Sequence, residues 1–447
     1  MSPTLVYLLL LSFGVAAIAM GTPVAYVLWL TVGAALLVFF GWPPGGQFDW
    51  EAGLSPVLSA MAEIPYEFAH SYELASIPLY VALGHIAERA GITTAIFTAA
   101  QSLLARVHGG LGMATVLGCG GFSAISGSSI ACAATMGKLT VPEMIRRGYP
   151  PSMATGLVAA GGTLGALIPP SIPFIIFAIL AEHSVGQLLL AGLAPGLLTL
   201  VGYLIAVAVW ARIKMPAGAE ARDLPDGRRI MRDCRAAWPA LALAVIIIGG
   251  IFWGFFTTIQ AAAVSVLVAT IIGWARRTLT FSETIEALRA AATQTTVLFV
   301  LAFGAKLFII LIAASNLAGS MIESMAGMGL SPLAFTLIVC AILIVMGMFL
   351  EPMGILLILV PITLPMVESY GLSVVWYAAL FVKLLEVGLI TPPMGMNVFV
   401  LKAALPDQAE VSIGGIFRGI TLFLLVDAVV IAVLIAFPEL VTWVEAR

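Results

Sequence analysis

Two short stretches of this chain place oxygen-rich residues where an apolar helix has to break. One reads Gly161-Gly-Thr-Leu-Gly-Ala-Leu-Ile-Pro-Pro170 and the other Gly388-Leu-Ile-Thr-Pro-Pro-Met-Gly395. Paired prolines remove two backbone donors and clash with the preceding turn, so each stretch unwinds and frees carbonyl oxygens. Upstream of the first break lies the run Ser126, Gly127, Ser128, Ser129, and upstream of the second lies Gly347-Met-Phe-Leu-Glu-Pro-Met-Gly354. Oxygens freed in an apolar setting are costly unless they hold something, and Na+, a hard cation, suits them.

The spacing predicts two cation sites. The first uses Ser126, Gly127, Ser128 and Ser129 with backbone around Gly162, Thr163 and Gly165; the second uses Gly347, Glu351 and Gly354 with backbone around Gly388, Thr391 and Pro392. Helix N-termini meeting at the same places suit an anionic substrate. Ser126, Ser128, Glu351, Lys383 and Asn397 are the candidates for contacting or gating that substrate. The competing reading is structural: small residues also let helices pack closely in membranes, and Lys383 and Glu386, three apart on a helix, can pair with each other.

The elements that hold these residues are set by composition. Of 447 residues 61% are apolar and 10% charged, the mean hydropathy is +1.11, and soluble domains carry roughly 25% charge. This is an all-α polytopic membrane protein, with expected spans at 4–20, 23–41, 74–90, 152–182, 187–211, 237–256, 258–275, 292–319, 332–365, 373–401 and 414–437, and an interfacial helix over 49–72. A net charge of −3 without a basic tract excludes a nucleic-acid partner. The four cysteines lack metal-ligand spacing, the four histidines are scattered and no Walker-type loop occurs, so metalloenzyme, intramembrane hydrolase and ATPase readings fall away. No cofactor is expected beyond Na+ as a coupling ion.

The loop 212–236 is rich in arginine, which makes it cytoplasmic. Counting spans from there puts Arg276 and Arg277 inside, and Glu182, Glu323, Glu439 and Glu445 outside, so the C-terminus is expected on the periplasmic side of a bacterial inner membrane. Thr140, Pro142, Gly148, Gly165, Pro169 and Pro170 recur, all at one constant offset and without a gap, as Thr363, Pro365, Gly371, Gly388, Pro392 and Pro393. Arg106, Arg146 and Arg147 bracket the first copy, whereas Glu323 and Glu368 bracket the second. The copies are therefore inverted repeats, each with a re-entrant helical hairpin followed by a broken helix. Glu351 falls on Ser128 at that offset, so the two sites should differ.

Residues 122–177, from FSAISGSSIACAATMGKL to GTLGALIPPSIPFIIF, with GMFLEPMGILLILVPITLP and VKLLEVGLITPPMGMNVFV in the second half, resemble the signature regions of the DctM-type large membrane subunit of tripartite ATP-independent periplasmic transporters. That resemblance implies an elevator-type, Na+-coupled importer of small organic acids. It implies two partners, a small four-helix membrane subunit and a soluble periplasmic binding protein. It places Na+ at the hairpin tips and following breaks, here Ser126 to Ser129 with Gly162 to Gly165, and Gly347 to Glu351 with Thr391 to Met394. Many members carry Asp where this chain has Glu351. A stand-alone Na+-coupled carrier of the dicarboxylate or citrate type is the alternative. The expected division is scaffold over 1–73, first repeat 74–186, scaffold 187–291, second repeat 292–405 and a scaffold span over 406–447.

Overall fold

The computed structural model describes residues 12–445 except 15, 18, 19, 23, 44, 45, 216–224 and 406–410. Most of the expected span 4–20 lies outside the described residues. All regular structure among the described residues is helical, and six helical segments there are long and apolar enough to cross a membrane. This is fewer than the sequence suggests because the helices within 23–41 and 74–90 are short and the halves of broken helices fall below the length of a span.

The helix expected at the interface is α1 (Trp50–His70), started by the Asp49 carboxylate, which accepts the N–H groups of Glu51 and Ala52 at 2.9 and 3.2 Å. Next come α2 (Ser76–Arg89) and α3 (Ile92–Leu104). α3 was not expected; Thr93, Thr94, Thr98, Gln101 and Ser102 dilute its hydropathy. The first repeat continues with α4 (Gly110–Ser126) and α5 (Ser129–Arg146), a helical hairpin, then α6 (Pro151–Gly162) and α7 (Ile172–Leu180), the broken helix. After α8 (Leu193–Lys214), the loop expected to be wholly aqueous holds α9 (Gly227–Ala236), N-capped by Asp226, whose carboxylate accepts the Arg229 N–H at 2.8 Å. The chain then bends by 41° into α10 (Trp238–Phe252), and α11 (Thr258–Ala275) follows.

The second repeat opens with α12 (Phe281–Ser315), a helix of 35 residues started by a Thr280–Glu283 capping box. Its length is about 50 Å, well beyond the apolar thickness of a bilayer. The second hairpin is α13 (Pro332–Phe349) with α14 (Pro352–Ser369), and the second broken helix is α15 (Val374–Gly388) with α16 (Met396–Ala404). The offset that carries Pro169 onto Pro392 also carries both ends of α5 onto both ends of α14, and the start of α6 onto the start of α15. The Pro169–Pro170 and Pro392–Pro393 bonds, equivalent in the repeat, are both cis. The duplication inferred from six identities is thus carried by the backbone as well.

The last long helix, α17 (Ile413–Ala436), crosses α6 almost backbone to backbone. A Cβ on Gly419 would lie 1.8 Å from the Ser152 carbonyl oxygen, and one on Gly156 2.3 Å from the Gly419 carbonyl carbon. Small residues on both helices allow that approach. α8, α15 and α17 are tied together by charge: the Lys383 ammonium donates to the Asp427 carboxylate at 2.6 Å and to the Thr199 hydroxyl at 2.8 Å. Tyr203 donates to the same carboxylate, with its oxygen 3.0 and 2.9 Å from the two carboxylate oxygens. Both charged side chains are fully buried. Lys383 therefore pairs with α17 and not with Glu386, its neighbour three residues on. α8 and α17 lie against the first broken helix and hairpin, in one apolar cluster with them.

Removing one member of a buried ion pair strands the other. Asp427→Leu should lower stability by about 3–5 kcal/mol, while Lys383→Met with Asp427→Leu should recover most of that loss. Thermal unfolding of the three proteins in one detergent checks this; a double variant no more stable than Asp427→Leu contradicts the pairing.

Candidate functional site

Both hairpin tips and both helix breaks meet at one cavity of about 100 Å³. Gly127, Ser128 and Ser129 come from the first tip, Glu351, Pro352 and Met353 from the second, and Ala166, Ile172, Glu386 and Leu389 from the broken helices. α12 closes the remaining side with Gln294 and Leu298. A smaller void of about 30 Å³ shares Ser128, Ile172 and Gln294 with it and adds Ser126, His85 and Glu88.

At the first tip Gly127 has φ +62°, and a Cβ there would lie 2.5 Å from the Pro170 carbonyl oxygen, so only glycine lets the tip rest on its own broken helix. A Cβ on Gly165 would be 2.6 Å from the Ser129 backbone nitrogen, and one on Gly162 3.1 Å from the Ser129 carbonyl oxygen. The residues of the first expected site are therefore brought together. Their hydroxyls have different occupations. Ser128 caps α5 by accepting the Ala131 N–H at 3.3 Å. Ser129 donates to the Glu386 carboxylate, and Thr163 donates to the Ala160 carbonyl at 2.6 Å. The Ser126 hydroxyl is buried with no hydrogen-bond partner among the described residues.

The second site is looser. Gly347 and Gly388 touch, with a Cβ on Gly388 falling 2.6 Å from the Gly347 Cα. Gly354 is buried, Glu351 is exposed, and so are Pro392 and Met394, whereas Pro169 and Pro170 of the first break are buried. Thr391 donates back to Val387 at 2.6 Å. Asn397, in the first turn of α16, is fully buried with neither amide atom hydrogen-bonded among the described residues. A buried polar group without a partner costs about 1–3 kcal/mol, so Ser126 and Asn397 mark, one in each half, places that favour a polar ligand. Lys383 and Asn397 do not line the cavity between the tips.

Two opposing potentials act in the cavity. α5 and α14, 18 residues each, begin there, and the first turn of α14 has no side-chain cap, so partial positive charge and free N–H groups face the cavity. Glu351 and Glu386 face the same space, and no Lys or Arg is among its lining residues. Sequence reasoning missed Gln294, which sits among Thr293, Thr295 and Thr296 in α12 and so carries no distinct local signal. Its Oε1 lies 3.1 Å from His85 Nε2, a contact between helices 209 residues apart in sequence. Glu386, which the sequence offers either as a functional charge at membrane depth or as a partner for Lys383, binds the first hairpin through Ser129.

A multi-pass helical bundle whose duplicated hairpins and broken helices converge on one polar cavity is, by class, a membrane permease. The model of the family described as "Tripartite ATP-independent periplasmic transporter, DctM component" matches residues 11–440, and the chain belongs to that family. It is 35% identical to the C4-dicarboxylate TRAP transporter large permease protein DctM of Pseudomonas aeruginosa, over 76% of this chain and 79% of that protein. It is 32% identical to the 2,3-diketo-L-gulonate TRAP transporter large permease protein YiaN of Escherichia coli, over 95% of each. The sialic acid TRAP transporter large permease protein SiaM of Vibrio cholerae is 31% identical over 83% of this chain and 85% of its own length. The fold is shared with the YdaH transporter of Alcanivorax borkumensis, at a TM-score of 0.60 and 17% identity over 98% of this chain and 99% of that one.

Because the tips are seated on glycine, Gly165→Ala and Gly388→Ala should each cost about 1–3 kcal/mol by overpacking. Gly227→Ala, where a Cβ would meet nothing within 4 Å, should leave the thermal midpoint unchanged. Equal midpoints for all three would contradict the close seating.

Proposed function

We propose that this chain is the translocating subunit of a Na+-coupled secondary importer of small organic acids. The observation that carries the reading is the convergence of two hairpin tips and two helix breaks on one cavity, together with an unpartnered buried polar side chain in each half of the chain, Ser126 and Asn397. In this reading one Na+ takes Ser126 and the backbone of 162–165, and another takes the backbone around Gly388 with Asn397 close by. The carboxylate of the substrate faces the N-termini of α5 and α14.

Electrostatics supplies the coupling. A carboxylate entering a cavity lined by Glu351 and Glu386 is repelled by either of them that is ionised, and like charges at a few ångströms cost several kcal/mol where hydration is poor. Bound Na+ removes that repulsion, so ion and acid bind well only together. The names of the relatives, which include carriers of C4-dicarboxylates, sialic acid and 2,3-diketo-L-gulonate, support a carboxylate as cargo.

The same reading gives the chain a small four-helix membrane subunit and a periplasmic binding protein as partners, a bacterial inner membrane as its location and a periplasmic C-terminus. It moves the hairpins and broken helices as one body in an elevator-type step. The buried Lys383–Asp427 pair and the Gly156–Gly419 crossing would make α8 and α17 travel with that body rather than stay with a scaffold.

Proteoliposomes holding the chain and its small subunit, with a Na+ gradient and labelled succinate, N-acetylneuraminate or 2,3-diketo-L-gulonate, provide the test. Uptake of at least one acid should require both Na+ and the binding protein. Uptake on Na+ without the binding protein would favour a stand-alone carrier, and Na+-independent uptake would end the coupling assignment. Within an active system, Ser126→Ala and Asn397→Leu should each raise the Na+ concentration for half-maximal uptake about tenfold, equivalent to about 1.4 kcal/mol. An unchanged Na+ dependence in both variants would remove these residues from the ion sites.

A further inference from the structure

A groove of about 410 Å³ lies between α3, the first arm of hairpin 1, and the α9–α10 junction, and none of its lining residues lines the cavity between the tips. Its walls are almost wholly apolar, with Leu104 of α3, Leu117 and Ala124 of α4, and Ala240 and Ala244 of α10 among them. Facing alanines and glycines normally let membrane helices close on each other; here they leave a space. Leu103 and Leu241, also in its lining, are 58% and 67% exposed, so the groove opens sideways from the bundle.

One end of the groove is charged. Cys234 and Ala237 line it, and they flank the junction between α9 and α10. α9 carries Arg228, Arg229, Arg232 and Arg235. Its acid, Asp233, is buried and turned inward, accepting the Ser102 hydroxyl of α3 at 2.5 Å and lying 3.3 Å from Arg232 and 3.9 Å from Arg229. Arg235, exposed and adjacent to Cys234, forms no ion pair among the described residues. Arg276 Nη1 donates to the Ala236 carbonyl at 3.1 Å and brings a second guanidinium to the same junction. Two guanidiniums beside an apolar groove, on the face that the positive-inside rule assigns to the cytoplasm, complement a phosphate with an acyl chain attached.

We propose that this groove binds one anionic phospholipid, with an acyl chain between α3, α4 and α10 and its phosphate on Arg235 and Arg276. The bound chain fills, with a fluid group, the seam between hairpin 1 and the helices beside it. Guanidinium suits the headgroup because it offers paired donors to phosphate oxygens and stays charged.

The test is native mass spectrometry of the full chain, purified in mild detergent and incubated with phosphatidylglycerol or phosphatidylcholine. The chain should retain one phosphatidylglycerol at least tenfold better than phosphatidylcholine. Arg235→Gln with Arg276→Gln, both exposed positions, should abolish that preference, whereas Arg228→Gln should keep it. Ala244→Trp, at a half-buried lining position, fills the groove without altering charge and should lose the lipid at an unchanged thermal midpoint. Equal retention of both lipids, or undiminished phosphatidylglycerol binding in the double arginine variant, overturns the proposal. So does cross-linking of the co-expressed small subunit to Leu241→Cys, which would make the groove a subunit interface.

Discussion

A backbone that stops being helical inside an apolar bundle must find partners for the groups it frees, and this chain does so at each of its two Pro-Pro breaks. At Pro169–Pro170 the freed segment is covered by the first hairpin, whose Gly127 sits on the Pro170 carbonyl and whose Ser128–Ser129 backbone packs on Gly165. At Pro392–Pro393 the cover is thinner, and Pro392 and Met394 reach the surface. Hairpins exist beside the breaks because unpaired carbonyls in hydrocarbon cost several kcal/mol each.

Charge on α15 shows the same economy in another form. Lys383 and Glu386 lie about a turn apart on one helix, and their surroundings divide them. Lys383 is neutralised by Asp427 and held by Thr199, deep in a packed core and away from the cavity. Glu386 turns to the cavity, where Ser129 of the hairpin is its hydrogen-bond donor. A lysine that looks like a substrate ligand is thus a strut, and a glutamate that looks like its partner belongs to the site.

The halves share an architecture but not a chemistry. Ser128 and Glu351 occupy the same position at the head of α5 and α14, yet one caps its helix and the other presents a carboxylate to open space. Inverted duplication fixes where the two hairpin tips lie, and substitution afterwards sets which side chain each presents. α12 lies outside both hairpins and contributes Gln294, braced by His85 of α2, so the cavity contains polar contacts that neither signature motif supplies.

The sequence by itself determined the membrane class, the two hairpins, the two breaks and their relation by a single constant offset, because hydropathy, Pro-Pro and glycine act locally and repeat in register. It also marked Ser126 to Ser129 and Gly162 to Gly165 as neighbours, since a break and a hairpin tip each carry a local signature. The tertiary structure alone decided that Lys383 pairs with Asp427, 44 residues on, that Glu386 reaches Ser129, 257 residues back, and that Gln294 faces the cavity. It also decided that α3 is a helix and that α17 crosses α6 at Gly156 and Gly419. These depend on which faces of distant helices meet, and no local period records that: a buried charge or amide is placed by the partner it finds across the bundle, not by its neighbours in the chain.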